Sequence, residues 1–307
     1  MICSNLFRRL PEGGYRYSES IGGINPKSRH TIDSGRIGIG LQASDDIIIV
    51  HPDHQRHFVS VSRLFEIHRL GSKPLRKAEI HRRLPHPRDM HMNDAIKTKA
   101  DGWDFNVHHG SLSVGIVLVH EIFGFDEYIE SVGRNLAQEG YWIAAIDLYR
   151  GKHASSLEEG FKLRSSLSEK DVLDSLRSGL QLLRSKAGDE ARIGSMGFCM
   201  GGGFALLGAC NLDFSFCVNY YGLLQDAEQL KGAKGPIQLI LASEDERVTP
   251  WAFQHLLPAA VKYKKRIDVH VYPNARHAFH RPNWEGHNPD AAKDAWSKTL
   301  LFLSQFK

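Results

Sequence analysis

Residues 192–209 read RIGSMGFCMGGGFALLGA, and the fold turns on this stretch. Its first part, 192–197, is a short strand candidate, and 200–209 is a helix built from small residues. Between them lies Gly197-Phe198-Cys199-Met200-Gly201-Gly202. A strand that turns sharply into a helix at one reactive side chain is a nucleophile elbow, here with Cys where Ser is commoner. The turn is so tight that the positions two before and two after the nucleophile meet neighbouring backbone unless they lack Cβ, a need that Gly197 and Gly201 meet. A helix starting just after Cys199 aims backbone N–H groups and its positive dipole end at the sulfur, which favours thiolate. The competing reading is a small Cys packed in a glycine-rich turn, since free Cys is among the most buried residue types. The rest of the chain decides between them.

On either side of the elbow, strand and helix patterns alternate from about Met92 to the end. Upstream, 113–119 is a β-branched apolar run. Residues 127–139 show helical spacing (Ile129, Val132, Leu136) and stop at Gly140, 141–146 is a second apolar run, and 157–185 is amphipathic over the length of two helices. Downstream, 216–220, 237–242 and 267–272 are strands, 250–263 is a helix and 290–306 is a final amphipathic helix. Continuous apolar strands between helices mean burial on both faces. The expected fold is therefore α/β, a doubly wound and mostly parallel sheet with helices on both sides.

Residues 1–91 read differently. They carry 15 Lys and Arg against 9 Asp and Glu, with 8 of the 17 histidines, whereas 92–307 carry 24 against 26. The formal charge of +4 and pI near 8.8 thus describe the first segment and give no reason to assign the whole chain to nucleic acid. Two strand-like runs, 37–41 and 47–50, stand out there, and 59–70 fits a strand or a short helix. The expected division is a basic, His-rich extension over 1–91 and the α/β domain over 92–307. The extension is read as a small extra domain, a disordered arm or an unused upstream start, the last two favoured, with Met90 or Met92 as the natural beginning. His51, Asp53, His54 and His57 are spaced closely enough to suggest a divalent-ion site, and the excess positive charge a weak phosphate-binding one; both are minor alternatives confined to this segment. Mean hydropathy is −0.33, no apolar run reaches about 20 residues, and the first residues lack a signal-peptide pattern. Four cysteines in 307 residues make no disulfide framework, so a reducing, cytoplasmic compartment is expected.

Chemistry gathers at the strand ends. After the strand at 237–242 comes Ser243-Glu244-Asp245-Glu246, and after that at 267–272 comes Asn274-Ala275-Arg276-His277-Ala278-Phe279. Alone, Asp245 reads as a solvated acidic turn and His277 as one surface histidine among many. Together with Cys199 they follow the order nucleophile, acid, base at successive strand ends, which favours a triad: Asp245 orients His277, and His277 takes the proton of Cys199. Val119-His120-Glu121-Ile122-Phe123-Gly124 closes the strand at 113–119, and a carboxylate there needs a partner if it is buried. The backbone N–H groups of Ile122 and Met200 are the expected oxyanion donors.

Taken together, His120-Glu121-Ile122-Phe123-Gly124, Asp147-Leu148-Tyr149, Gly197-Phe198-Cys199-Met200-Gly201-Gly202, Asp245 and His277-Ala278-Phe279-His280-Arg281 resemble the dienelactone hydrolase family of α/β-hydrolases over roughly residues 95–307. The resemblance implies Cys199, Asp245 and His277 as triad and Glu121 as the family's active-site glutamate, which helps activate the thiol when substrate arrives. It implies Arg281 as a holder of the substrate carboxylate and a second such arginine between Tyr149 and the elbow, for which Arg164 is the candidate; Tyr149 is placed with the substrate. The activity implied is opening of enol-lactones through a thioester, without metal or cofactor, on a small-molecule lactone or ester, by a monomer or small homo-oligomer. A broad carboxylesterase of the same fold is the alternative.

Overall fold

The computed structural model describes residues 95–307 and, upstream of them, the backbone of five short strands. Of those, Phe7–Arg9 pairs antiparallel with Tyr15–Tyr17, while Gly38–Leu41, Asp46–Val50 and Arg56–Ser60 form a three-stranded antiparallel sheet. His51, Asp53 and His54 lie outside the described residues, and of His57 only the backbone is described.

From residue 96 the chain builds one eight-stranded sheet. Its strands are β1 (Ile96–Ala100), β2 (Trp103–His108), β3 (Val114–Val119), β4 (Trp142–Asp147), β5 (Arg192–Phe198), β6 (Cys217–Tyr220), β7 (Ile237–Ala242) and β8 (Ile267–Tyr272). They lie in the order β8-β7-β6-β5-β3-β4-β2-β1, and β2 alone runs against the others. The helices are α1 (Glu127–Gln138), α2 (Leu157–Ser165), α3 (Glu169–Ala187), α4 (Met200–Asn211), α5 (Val248–Trp251), α6 (Leu257–Lys262) and α7 (Pro289–Ser304). A π-helical turn, Ala252–Leu256, joins α5 to α6.

All six residues of β3 and of β7 are buried, as their unbroken apolar sequences require. Alternate side chains go to opposite faces. Val117 and Val119 join a core with Leu176, Leu180, Ala205 and Leu206 of α3 and α4; Val114, Ile116 and Leu118 join a second core with Ile129, Leu136, Ala295 and Leu303 of α1 and α7. At about 1.5–3 kcal/mol per fully buried aliphatic side chain, these two layers are what hold the sheet between its helices. The expected doubly wound architecture is present, with 157–185 dividing into α2 and α3 at the capping box of Ser168 and Asp171.

One element lies ahead of the expected first strand. The β1–β2 hairpin turns at Asp101-Gly102, both at positive φ (49° and 82°), as a two-residue hairpin turn demands. The Asp-Gly pair flanked by Ile96-Lys97-Thr98 and Trp103-Asp104-Phe105 is the sequence signal for it.

Candidate active site

The site collects at the C-terminal ends of β3, β4, β5, β7 and β8, where open α/β sheets place their functional loops. Cys199 sits between β5 and α4 at φ 53° and ψ −120°, a conformation most L-residues avoid. What holds it there is backbone-to-backbone packing. A Cβ on Gly197 would stand 2.1 Å from the carbonyl oxygen of Gly201, and one on Gly201 would stand 2.4 Å from the oxygens of Val119 and His120. The turn expected from sequence is therefore formed for the expected steric reason. Cys199 is half-buried, whereas the free thiols of Cys210 and Cys217 lie in the core and burial pushes both up to about 12.

His277 Nε2 lies 3.0 Å from Cys199 Sγ, and His277 Nδ1 lies 2.5 Å from Asp245 Oδ2. Asp245 is fixed from its other side: Oδ1 accepts from the N–H groups of Arg247, at 3.0 Å, and Val248, at 2.9 Å. Burial would raise the Asp245 carboxyl, but the imidazole and these two amides hold it below the usual carboxylate range. Burial likewise opposes charge on His277, yet Asp245 and Cys199 on its two nitrogens raise it to about 10. The structure brings these three side chains into one hydrogen-bonded row.

Glu121 and Ile122 follow β3. Glu121 is 2% exposed, and burial raises its carboxyl to about 7 despite the nearby guanidinium of Arg281. Arg281 Nη1 donates to Glu121 Oε2 at 2.9 Å, while Oε1 has no hydrogen-bond partner among the described residues. Glu121 therefore rests on Arg281 and makes no hydrogen bond to the thiol. His120 is fully buried; its Nε2 accepts from the Leu148 N–H at 3.1 Å, so Nδ1 carries the proton and donates to the Glu121 carbonyl at 2.6 Å. That imidazole ties the loop after β3 to the loop after β4. Asp147 shapes the second loop by accepting from the N–H groups of Tyr149 and Gly151.

The N–H of Ile122 has no hydrogen-bond partner among the described residues, and Met200, as the first residue of α4, has no carbonyl a turn behind it. Tyr149 donates from its hydroxyl to Met200 Sδ at 3.3 Å. The guanidinium of Arg164, on α2, lies 4.6 Å from the centre of the Phe204 ring on α4. Burial raises the Tyr149 hydroxyl, with Arg164 opposing and Cys199 reinforcing. Arg281 is paired with Glu121 and with Asp126.

Two neighbours of the site carry no motif that singles them out in the sequence. Asp126 caps α1 by accepting from the Ile129 N–H at 3.2 Å while its other oxygen binds Arg281 Nη2. Tyr221 is buried at φ 40°, with its ring 5.2 Å from that of His277. Asp126 pairs with Arg281 across 155 residues, a contact that no local pattern in the sequence announces.

An eight-stranded, mostly parallel sheet, helices on both faces, and a Cys-His-Asp set on an elbow and two strand-end loops define an α/β-hydrolase. The sequence profile of the Dienelactone hydrolase family matches residues 107–307. The chain belongs to that family. A Saccharolobus solfataricus protein named "Putative carboxymethylenebutenolidase" is 30% identical over 229 residues, 62% of this chain and 88% of that one. The crystal structure of a protein described as "Putative Dienelactone Hydrolase" from Klebsiella pneumoniae is similar with a TM-score of 0.63 at 25% identity, over 69% of this chain and 98% of that one. That of the dienelactone hydrolase from Anabaena variabilis shares the fold at 18% identity with a TM-score of 0.52, over 69% and 96%. The protein is accordingly a hydrolase acting on ester or lactone bonds. Among the described residues no helix is long and apolar enough to cross a membrane.

Proposed function

We propose that the chain hydrolyses lactones and esters by covalent catalysis through Cys199, with His277 as general base and acid and Asp245 as its orienting partner. The observation that carries this reading is the continuous contact from Asp245 through His277 to a half-buried sulfur, 2.5 Å and then 3.0 Å. In the first half-reaction His277 holds the thiol proton while Sγ bonds to the carbonyl carbon. The oxygen that gains the electron pair is met by the N–H groups of Ile122 and Met200. The C–O bond to the leaving group then breaks, the departing oxygen takes the proton from His277, and a thioester remains on Cys199 beside a neutral imidazole. An enolate leaves without needing much acid, so activated enol-lactones suit the site; an amine leaves poorly, so amides do not. In the second half-reaction water gives a proton to His277 and bonds to the acyl carbon, and Cys199 departs as thiolate.

Glu121 is the candidate proton acceptor that helps activate the thiol when substrate arrives, and its carboxyl, raised to about 7 by burial against the pull of Arg281, gains or loses its charge near neutral pH. Arg164 and Tyr149, on the α2–α4 side of the sulfur, offer a cation and a hydroxyl to a substrate carboxylate, and Arg164 has no carboxylate partner among the described residues. The free thiols of Cys199, Cys210 and Cys217 fit a reducing, cytoplasmic setting.

Cys199→Ala tests the reading. We expect hydrolysis of an enol-lactone and of 4-nitrophenyl acetate to fall by about a thousandfold or more, while the protein stays folded. Comparable rates in the variant would refute it. The ratio of the two rates in the unaltered chain separates an enol-lactone hydrolase from a broad carboxylesterase.

A further inference from the structure

Arg281 is more fully engaged than a substrate-holding arginine needs to be. Its guanidinium carbon lies 5.1 Å from the centre of the Phe123 ring and 5.2 Å from that of Tyr128. Aromatic rings therefore flank the cation, and recognition is left to its N–H edge. Two separate carboxylates take that edge, Glu121 on Nη1 and Asp126 on Nη2. A carboxylate ligand prefers two parallel N–H donors on one edge of the fork. Each terminal nitrogen already gives one of its two N–H groups to an acid, so an incoming carboxylate would be the third acid beside a single cation.

The two acids are not equivalent. Glu121 is 2% exposed, keeps one oxygen without a partner among the described residues, and is raised to about 7, so it gives up its charge readily. Asp126 is anchored, because the oxygen that does not bind Arg281 caps α1 through Ile129. Losing the Glu121 contact frees only one of the two nitrogens.

We propose that Asp126 is a specificity-determining residue: by holding Arg281 Nη2 it withholds that guanidinium from substrate carboxylates, so the site takes acyl groups that are uncharged at this end of the cleft. This rests on the hydrolase reading above, and the test includes a measurement that does not depend on turnover.

Asp126→Asn is the informative change. Asn caps a helix as well as Asp does, so its oxygen keeps the Ile129 N–H while its NH2 faces Arg281 and releases it. Asp126→Ser, another good cap, serves as a second variant. Alkylation of Cys199 by iodoacetate and by iodoacetamide compares an anion with a neutral reagent of similar size. We expect the iodoacetate-to-iodoacetamide rate ratio to rise about tenfold in Asp126→Asn, the scale of one charge-assisted hydrogen bond. The rise should vanish in Asp126→Asn/Arg281→Gln. The kcat/KM ratio for mono-4-nitrophenyl succinate over 4-nitrophenyl acetate should follow the same pattern. With Asp126 in place, Arg281→Gln should change both esters by the same factor. An unchanged ratio in Asp126→Asn would overturn the proposal. So would a rise that persists without Arg281, which marks a general field effect, or a loss in Arg281→Gln confined to the succinate ester. Absence of turnover on both esters, with the alkylation pattern as expected, would count against the hydrolase reading and leave this inference standing.

Discussion

Two groups of this site set its pH response, and the first is a buried carboxyl. The ordinary value for Glu121 is 4.5 and burial raises it to about 7, so the folded state holds a proton that the unfolded chain would release. Folding stability from this group is therefore complete below about pH 4.5 and is lost as pH rises through about 7. His277 works in a later window: raised from 6.5 to about 10, it contributes fully below about pH 6.5 and the contribution is lost as pH rises through about 10. Glu121→Gln removes the first window alone. Its unfolding free energy relative to the unaltered chain should improve by about 3 kcal/mol between pH 4.5 and 7.5, because each pH unit over which only the folded chain keeps the proton costs about 1.4 kcal/mol. Denaturant unfolding at a series of pH values measures this, and a constant difference across that range would show that Glu121 titrates as an exposed acid. The candidate side chains themselves were legible in the sequence. Cys199, Asp245 and His277 each follow an apolar run, and that placement says which end of the sheet they share. Their mutual distances were not, because residue 199 and residue 277 meet only once β5 and β8 are in one sheet.

Among the elements, α2 bears on the chemistry through one residue that has no side chain. A Cβ on Gly160 would lie 2.9 Å from Ile122 Cγ1 and 3.0 Å from the Ile122 carbonyl oxygen. The helix therefore rests directly on the loop that carries the proposed oxyanion donor. Gly160→Ala gains helix propensity, about 1 kcal/mol, but must push that loop by a few tenths of an ångström. We expect kcat for 4-nitrophenyl acetate to fall about tenfold with thermal stability changed little; steady-state kinetics and a melting curve decide it, and an undiminished kcat would mean the loop yields without moving its N–H. Most elements followed from pattern: β7 and β8 span the expected residues, and α7 begins one residue before the apolar spacing does. The hairpin of β1 and β2 was the exception. Most of β1 is exposed, so Ile96-Lys97-Thr98-Lys99 holds no apolar run, and only the Asp101-Gly102 turn marks it in the sequence. The helix expected over 250–263 begins at Val248 and carries a π-helical turn, a local irregularity that apolar spacing does not encode.

For the molecule as a whole, every residue of the candidate site follows residue 119, and the complete eight-stranded sheet follows residue 95. A chain beginning at Met92 should therefore fold and alkylate at Cys199 at the rate of the full chain, within about twofold, since the cores on both faces of the sheet are built within that span. A loss of folding or of thiol reactivity on removing residues 1–91 would show that the basic segment is part of the working unit. The α/β class, the elbow and the order of the three reactive residues could all be read along the chain, because apolar period, glycine spacing and strand ends are local properties. That Glu121 rests on Arg281, that Asp126 shares the same guanidinium, and that α2 leans on Ile122 emerged only from the folded arrangement. Each of these is a contact between segments far apart in sequence, brought together by a sheet whose neighbours are not consecutive strands, and charge pairing across such distances leaves no periodic trace in the chain.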